Sequence, residues 1–177
     1  NLRNLRNLCN IRNLNERLKM KNIILVGFMG TGKTVVSKIL AARLERQRLC
    51  IDDMIEWKVG KPIPRIFAEN GEAYFRKIES EIVAAVSKDR NAVIDAGGGV
   101  VIDEHNVRRL KEHGVLFCLK AREEVILDRT KIYTHRPLLD AENPLEKIKG
   151  LLRERQEHYQ RADYTIDTSD ITPEEAA

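Results

Sequence analysis

The chain has 177 residues, 42% of them apolar and 33% charged, with 31 Lys and Arg against 27 Asp and Glu; this is enough for one core-forming domain, too little for two, and gives no compositional sign of disorder. The net charge of +4 sits in residues 1–19, where Arg3, Arg6, Arg12, Arg17 and Lys19 face Glu16 alone, so the neutral remainder argues against a nucleic-acid partner. The longest apolar runs are strand-sized, far short of the roughly 20 residues a bilayer helix needs, no secretory leader is visible, and Cys9, Cys50 and Cys118 form neither a disulfide framework nor a Cys-x-x-Cys pair; a cytoplasmic protein without a membrane partner is expected.

Residues 1–19 repeat an Asn-apolar-Arg triplet whose period fits neither helix nor strand, and are read as a non-native or disordered basic extension. From Met20 short apolar runs alternate with longer helical stretches. Strands are expected at Ile23 to Val26, Arg48 to Ile51, Ala92 to Asp95, Val115 to Leu119 and Tyr164 to Asp167. Helices are expected at Lys33 to Arg46, Glu72 to Val86, Glu104 to His113, Glu123 to Arg129 and Pro144 to Arg161. The alternation predicts one α/β domain over 20–177, a three-layer α/β/α arrangement around a five-stranded parallel sheet. Residues 130–142 lack helical periodicity and are read as a lid loop. The chain stops at the first turn of a helix, Thr172-Pro173-Glu174-Glu175, read as cut short before it gains an apolar face.

Between the first strand and the first helix lies GFMGTGKT, Gly27 to Thr34: two glycines five apart followed by Lys and Thr. Such a loop turns successive backbone N–H groups toward phosphate oxygens and presents a helix N-terminus. Gly27, Gly30, Thr31, Gly32, Lys33, Thr34 and Val35 are therefore candidate ATP-binding residues. Lys33 is placed to reach the β- and γ-phosphates and Thr34 to ligate Mg²⁺. Phosphoryl transfer asks for positive charge gathered from separate segments, and Arg76, Arg129, Arg136 and Arg155 are candidates, each of them otherwise an ordinary solvated surface arginine.

CIDDMIEWKVG, IFAENGEAYFRKIE, DAGGGVV, RTKIYTHRPLL, and RERQEHY followed by ADYTIDT come in an order that resembles the shikimate kinase family from Met20 to Pro173. The resemblance implies a P-loop fold of the nucleoside-monophosphate kinase type and a monomer. It also implies ATP-dependent, Mg²⁺-requiring phosphorylation of the shikimate 3-hydroxyl, giving shikimate 3-phosphate and ADP on the route to chorismate and the aromatic amino acids. Residue by residue, it implies that Asp52, eight residues before Gly60, meets the attacking hydroxyl; helix N-capping is the alternative for this carboxylate. It places Arg76 and Arg155 on the substrate carboxylate and Glu79 beside Arg76. It places the backbone of Gly97, Gly98 and Gly99 against the substrate, Arg136 as a catalytic cation closing over the phosphates, and Arg129 against adenine. Phe67 and Phe75 are read as pocket wall or core, and Trp57 as packing.

Two departures stand out. Cys50 occupies the place where the family carries a metal-assisting aspartate, and a neutral thiol is a poor Mg²⁺ partner. Asp95, at the end of the third strand, is the candidate replacement, with a turn-capping role as its alternative. Ile171 stands where some relatives place a nucleotide-binding arginine. Two other readings remain open at this level: another small-molecule P-loop kinase, such as one acting on gluconate, or a nucleotide-binding regulator of weakened catalysis.

Overall fold

The computed structural model describes residues 20–131 and 143–177. The basic extension, Arg136 and nearly all of the expected lid lie outside the described residues.

Five strands form one sheet in the order β2-β3-β1-β4-β5, and every pairing is parallel. They are β1 (Asn22–Gly27), β2 (Arg48–Cys50), β3 (Val93–Asp95), β4 (Gly114–Lys120) and β5 (Tyr164–Asp167). The described helices are α1 (Lys33–Arg43), α2 (Ile51–Val59), α3 (Ile63–Val86), α4 (Glu104–His113), α5 (Glu123–Thr130), α6 (Pro144–Tyr159) and α7 (Pro173–Ala176). A 3₁₀ turn, Val100–Ile102, follows the glycine triplet.

The side-chain alternation of β1 builds both cores. Ile24 and Val26 face one side of the sheet, where Ile51, Ile55, Ile66, Ile82 and Leu110 of α2, α3 and α4 cover them. Ile23 and Leu25 face the other side with Val36 and Ala41 of α1. A third cluster joins Phe28 to Ile126 of α5 and Ile148 of α6 at the edge of the phosphate loop. β1 is buried at every residue, as a central strand of a parallel sheet covered on both faces must be.

Helix α2 and the first half of α3 differ from the sequence reading. β2 passes into α2 with no intervening turn, so Ile51, expected as a strand residue, is the first residue of a helix whose first turn carries Asp52 and Asp53. Negative charge there suits the helix dipole. α3 starts nine residues earlier than expected because Pro64 falls in its first turn, where its missing N–H costs nothing. The expected start at Glu72 marks a real break, since Gly71 has φ 81° and ψ 170° inside the run. α1 stops at Arg43 rather than Arg46, and Glu45 turns back at φ 52°. The last turn, α7, carries a reciprocal Thr172–Glu175 capping box, and Ala176 and Ala177 pack on the β1–α1 cluster, so it does gain an apolar face.

Candidate active site

The C-terminal ends of β1, β2 and β3 open into one cavity of about 690 Å³. In an open parallel sheet ligands bind at this edge, where the connections leaving two neighbouring strands diverge, here β1 toward β2 and β3 toward β4.

The phosphate loop forms one wall. Thr31 is buried and its hydroxyl donates to the Phe28 carbonyl at 2.7 Å, while Lys33 arches back so that Nζ donates to the same carbonyl at 3.0 Å. Gly30, Thr31, Gly32, Lys33, Thr34 and Val35 all line the cavity. Gly27 does not line it. A Cβ there would lie 2.1 Å from the Leu119 carbonyl oxygen, so this glycine permits the close approach of β1 to β4. Arg129 lines the opposite end with Thr168, Ile171 and Pro173; its guanidinium donates to the Thr168 carbonyl at 2.7 Å and hydroxyl at 3.2 Å, and to the Gly30 carbonyl at 3.4 Å.

The other half of the cavity holds Asp52, Arg76, Gly97, Gly98, Gly99 and Arg155. Asp52 meets the solvent of the cleft, yet surrounding protein desolvates it and raises its pKa. Lys33 opposes that rise and Asp95, Asp53 and Glu56 add to it. The N-cap of α2 is Cys50 and makes no side-chain cap bond; Asp52 lies in the first turn instead. Arg76 donates to Glu79 at 2.9 Å and to Glu72 at 2.9 Å. Glu79 is 3% exposed, and burial pushes its pKa up to about 7 despite the Arg76 guanidinium beside it. The Arg76 guanidinium lies so near Gly99 that a Cβ there would be 2.1 Å from Nη1. Phe67 and Phe75 line the same space with ring centroids 4.7 Å apart. Trp57 points elsewhere: it is 87% exposed, not packed as expected.

Asp95 is buried and reaches the cavity wall. Its Oδ2 accepts from Arg48 at 3.0 Å, and Ser37, whose hydroxyl faces both Asp95 and the Thr34 carbonyl, accepts from Arg48 Nε at 2.8 Å. β2 and β3 pair with Cys50 directly beside Asp95. Burial, with the charges of Asp95 and Asp53, pushes the Cys50 thiol up to about 11, so it is neutral. Among the described residues no three His, Cys, Asp or Glu side chains form a metal cage. Mg²⁺ fits such a site because it keeps several waters and takes only one or two protein carboxylates alongside substrate phosphates.

The shikimate kinase family model matches residues 29–177. A shikimate kinase of Thermodesulfovibrio yellowstonii is 49% identical over 158 residues, 89% of this chain and 91% of that one. The chain belongs to the shikimate kinase family. A second member, from Caldanaerobacter subterraneus, is 48% identical over 89% of this chain and 92% of its own length. The structure of shikimate kinase from Acinetobacter baumannii in complex with shikimate superimposes with a TM-score of 0.85 at 38% identity, covering 90% of this chain and 89% of that one. Family membership fixes the P-loop kinase fold and an ATP-dependent alcohol phosphotransferase, and removes the gluconate-type alternative. No described helix is long and apolar enough to cross a membrane.

Sequence reasoning missed Arg48 and Ser37, the bracket around Asp95. The available signal was Arg48 itself, a charged residue two places before Cys50 in a short strand, and therefore on the same face as Cys50.

Proposed function

We propose that this family member transfers the γ-phosphate of ATP to the 3-hydroxyl of shikimate. One observation carries the residue assignments: Asp52, Arg76, Arg155 and the glycine triplet share a single cavity with Lys33 and Thr34. A donor phosphate and a carboxylated acceptor can therefore be held face to face, which is most of what phosphoryl transfer asks of a protein.

The phosphate-loop N–H groups and Lys33 hold the triphosphate. Arg129, whose Nη1 and Nη2 groups donate to Thr168 and Gly30, offers its flat face to adenine. Arg76 and Arg155 bind the acceptor carboxylate, and Arg76 is held in place by Glu79 and Glu72. Asp52 accepts the proton of the attacking hydroxyl, its raised pKa bringing it closer to the range suited to a base. Arg136 is assigned the neutralisation of charge on the transferring group from its place in the HRPLL motif. The Thr34 hydroxyl and the Asp95 carboxylate would hold Mg²⁺, which when bound would supply charge compensation to the phosphates.

The test is a coupled ADP-release assay with a panel of carboxylated polyols, shikimate included, with and without Mg²⁺. Mg²⁺-dependent ADP release confined to shikimate is the expected result. ATP binding without shikimate-dependent ADP release would reject the assignment in favour of a regulator.

A further inference from the structure

Tyr159 is the last residue of α6, four residues beyond Arg155 and hence on the same helix face. Its ring packs against both the main core and the α5–α6 cluster, which restricts its rotamers. Its hydroxyl donates to the Gly98 carbonyl at 3.0 Å. The glycine turn is crowded on that side, since a Cβ on Gly98 would sit 2.8 Å from the Gly27 carbonyl and 3.4 Å from the Tyr159 hydroxyl.

A trans peptide is planar, so fixing the Gly98 carbonyl also fixes the Gly99 N–H, which points the opposite way. Gly99 is the residue against which the Arg76 guanidinium packs. Arg155, on the other side, lies over the Phe28 ring at 5.9 Å. Burial pushes the Tyr159 phenol up to about 12, while the charge of Arg155 and its hydrogen bond to the phenol work against that rise. The hydroxyl thus stays a donor at neutral pH. The Tyr159 hydroxyl, close enough to Arg155 to feel its charge, is linked through the Gly98–Gly99 peptide to Arg76.

We propose that Tyr159 is a positioning residue for acceptor recognition, its hydroxyl setting the spacing of the two arginines that grip the acceptor carboxylate through the Gly98–Gly99 peptide. The proposal rests on the carboxylate assignment made above for Arg76 and Arg155. It predicts a selective defect, because the nucleotide half of the cavity is built from other elements.

The experiment compares the full chain with its Tyr159→Phe variant, which keeps the ring and removes only the hydroxyl. KM is measured for shikimate, for a cyclohexene triol lacking the carboxylate, and for ATP, with a thermal melt alongside. Losing the donor to a carbonyl beside the ligand raises KM for shikimate about tenfold, leaving kcat, KM for ATP and KM for the triol within about twofold. The preference for the carboxylated acceptor therefore shrinks. An equal loss on both acceptors, an unchanged KM for shikimate, or a lost melting transition each overturns the role given to Tyr159. If the unmodified chain shows no preference for the carboxylated acceptor, the assignment of Arg76 and Arg155 fails and this role goes with it. If that preference is present and Tyr159→Phe retains it in full, only the role of Tyr159 fails.

Discussion

Glu79 should make stability and acceptor affinity respond to pH in opposite directions, and Glu79→Gln should remove both responses. The carboxyl is 3% exposed and its pKa is pushed from 4.5 to about 7, with burial as the largest cause. A folded-state pKa above the unfolded value gives stability that is full below pH 4.5 and is lost as pH rises through about 7. Holding the proton over that interval corresponds to roughly 3 kcal/mol that the native state gives up when Glu79 ionises. The ionised form, however, is the one that anchors Arg76 at 2.9 Å. Glu72 keeps a second hold on Arg76, so protonating Glu79 loosens the guanidinium without releasing it. Loss of one charged hydrogen bond of three should raise KM for the acceptor by about tenfold between pH 8 and pH 6. Urea unfolding and steady-state kinetics over this range, on the unmodified chain and on Glu79→Gln, test the argument. Taking the difference between the two proteins cancels the titrating groups that are not coupled to Glu79. The unmodified chain should lose stability relative to Glu79→Gln as pH rises, while its acceptor KM improves relative to the variant. Parallel pH profiles of the two proteins would refute the reasoning.

Three further outcomes follow from individual contacts. Gly27→Ala drives a Cβ to 2.1 Å from the Leu119 carbonyl at a φ of 138°, and should cost on the order of 3 kcal/mol or more, read as a large fall in melting temperature. Asp95→Asn should raise the Mg²⁺ concentration for half-maximal turnover about tenfold or more with little change in shikimate KM; an unchanged Mg²⁺ requirement would remove Asp95 from the metal site. Trp57→Ser, at a side chain 87% exposed, should change unfolding free energy by less than about 0.5 kcal/mol.

The centre of the sheet was legible because β1, β3 and β4, covered on both faces, read as short apolar runs; the exposed edge strand β5 and helix α4 also have the limits expected of them. The phosphate loop was legible because a lysine and a threonine have little reason to follow a glycine-rich turn at this spacing unless an anion binds there. Helix α2 was hidden by its abrupt start, for nothing in Leu49-Cys50-Ile51 punctuates the passage from strand to helix. The first half of α3 was hidden by Pro62 and Pro64, which read as breakers until the second is seen within a first turn. Site residues with family motifs could be placed in advance, and the structure brings Asp52, Arg76 and Arg155 to one cavity though Asp52 and Arg155 lie 103 positions apart in the chain. Arg48 and Ser37 carried no such label, and Tyr159, though it closes the RERQEHY motif, was given no role there. Their roles arise from the strand register and from α6 crossing the glycine turn, neither of which is written locally in the chain.

The register of β2 and β3 also accounts for why a thiol is tolerated at Cys50. Paired strands lie about 4.8 Å apart, so a carboxylate at this place would stand directly beside Asp95, within reach of Asp53. Two charges at that separation repel by about 3 kcal/mol at an effective dielectric near 20. Arg48 already spends one N–H on Asp95 and lies 3.6 Å from Asp53, so it is poorly placed to neutralise a third acid. The rise of the Cys50 pKa to about 11 reflects the same bias against negative charge, after burial as the larger cause. One carboxylate at this edge of the sheet is therefore the arrangement the surroundings support, on either strand but not on both. Cys50→Asp alone should lower the melting temperature, whereas Cys50→Asp added to Asp95→Asn should restore much of the Mg²⁺ affinity that Asp95→Asn loses. Measuring Mn²⁺ binding to the ADP complex of each variant, beside its melting curve, decides the matter. Equal stability of the Cys50→Asp variant and the unmodified chain would mean that the two strand ends do not share a single charge.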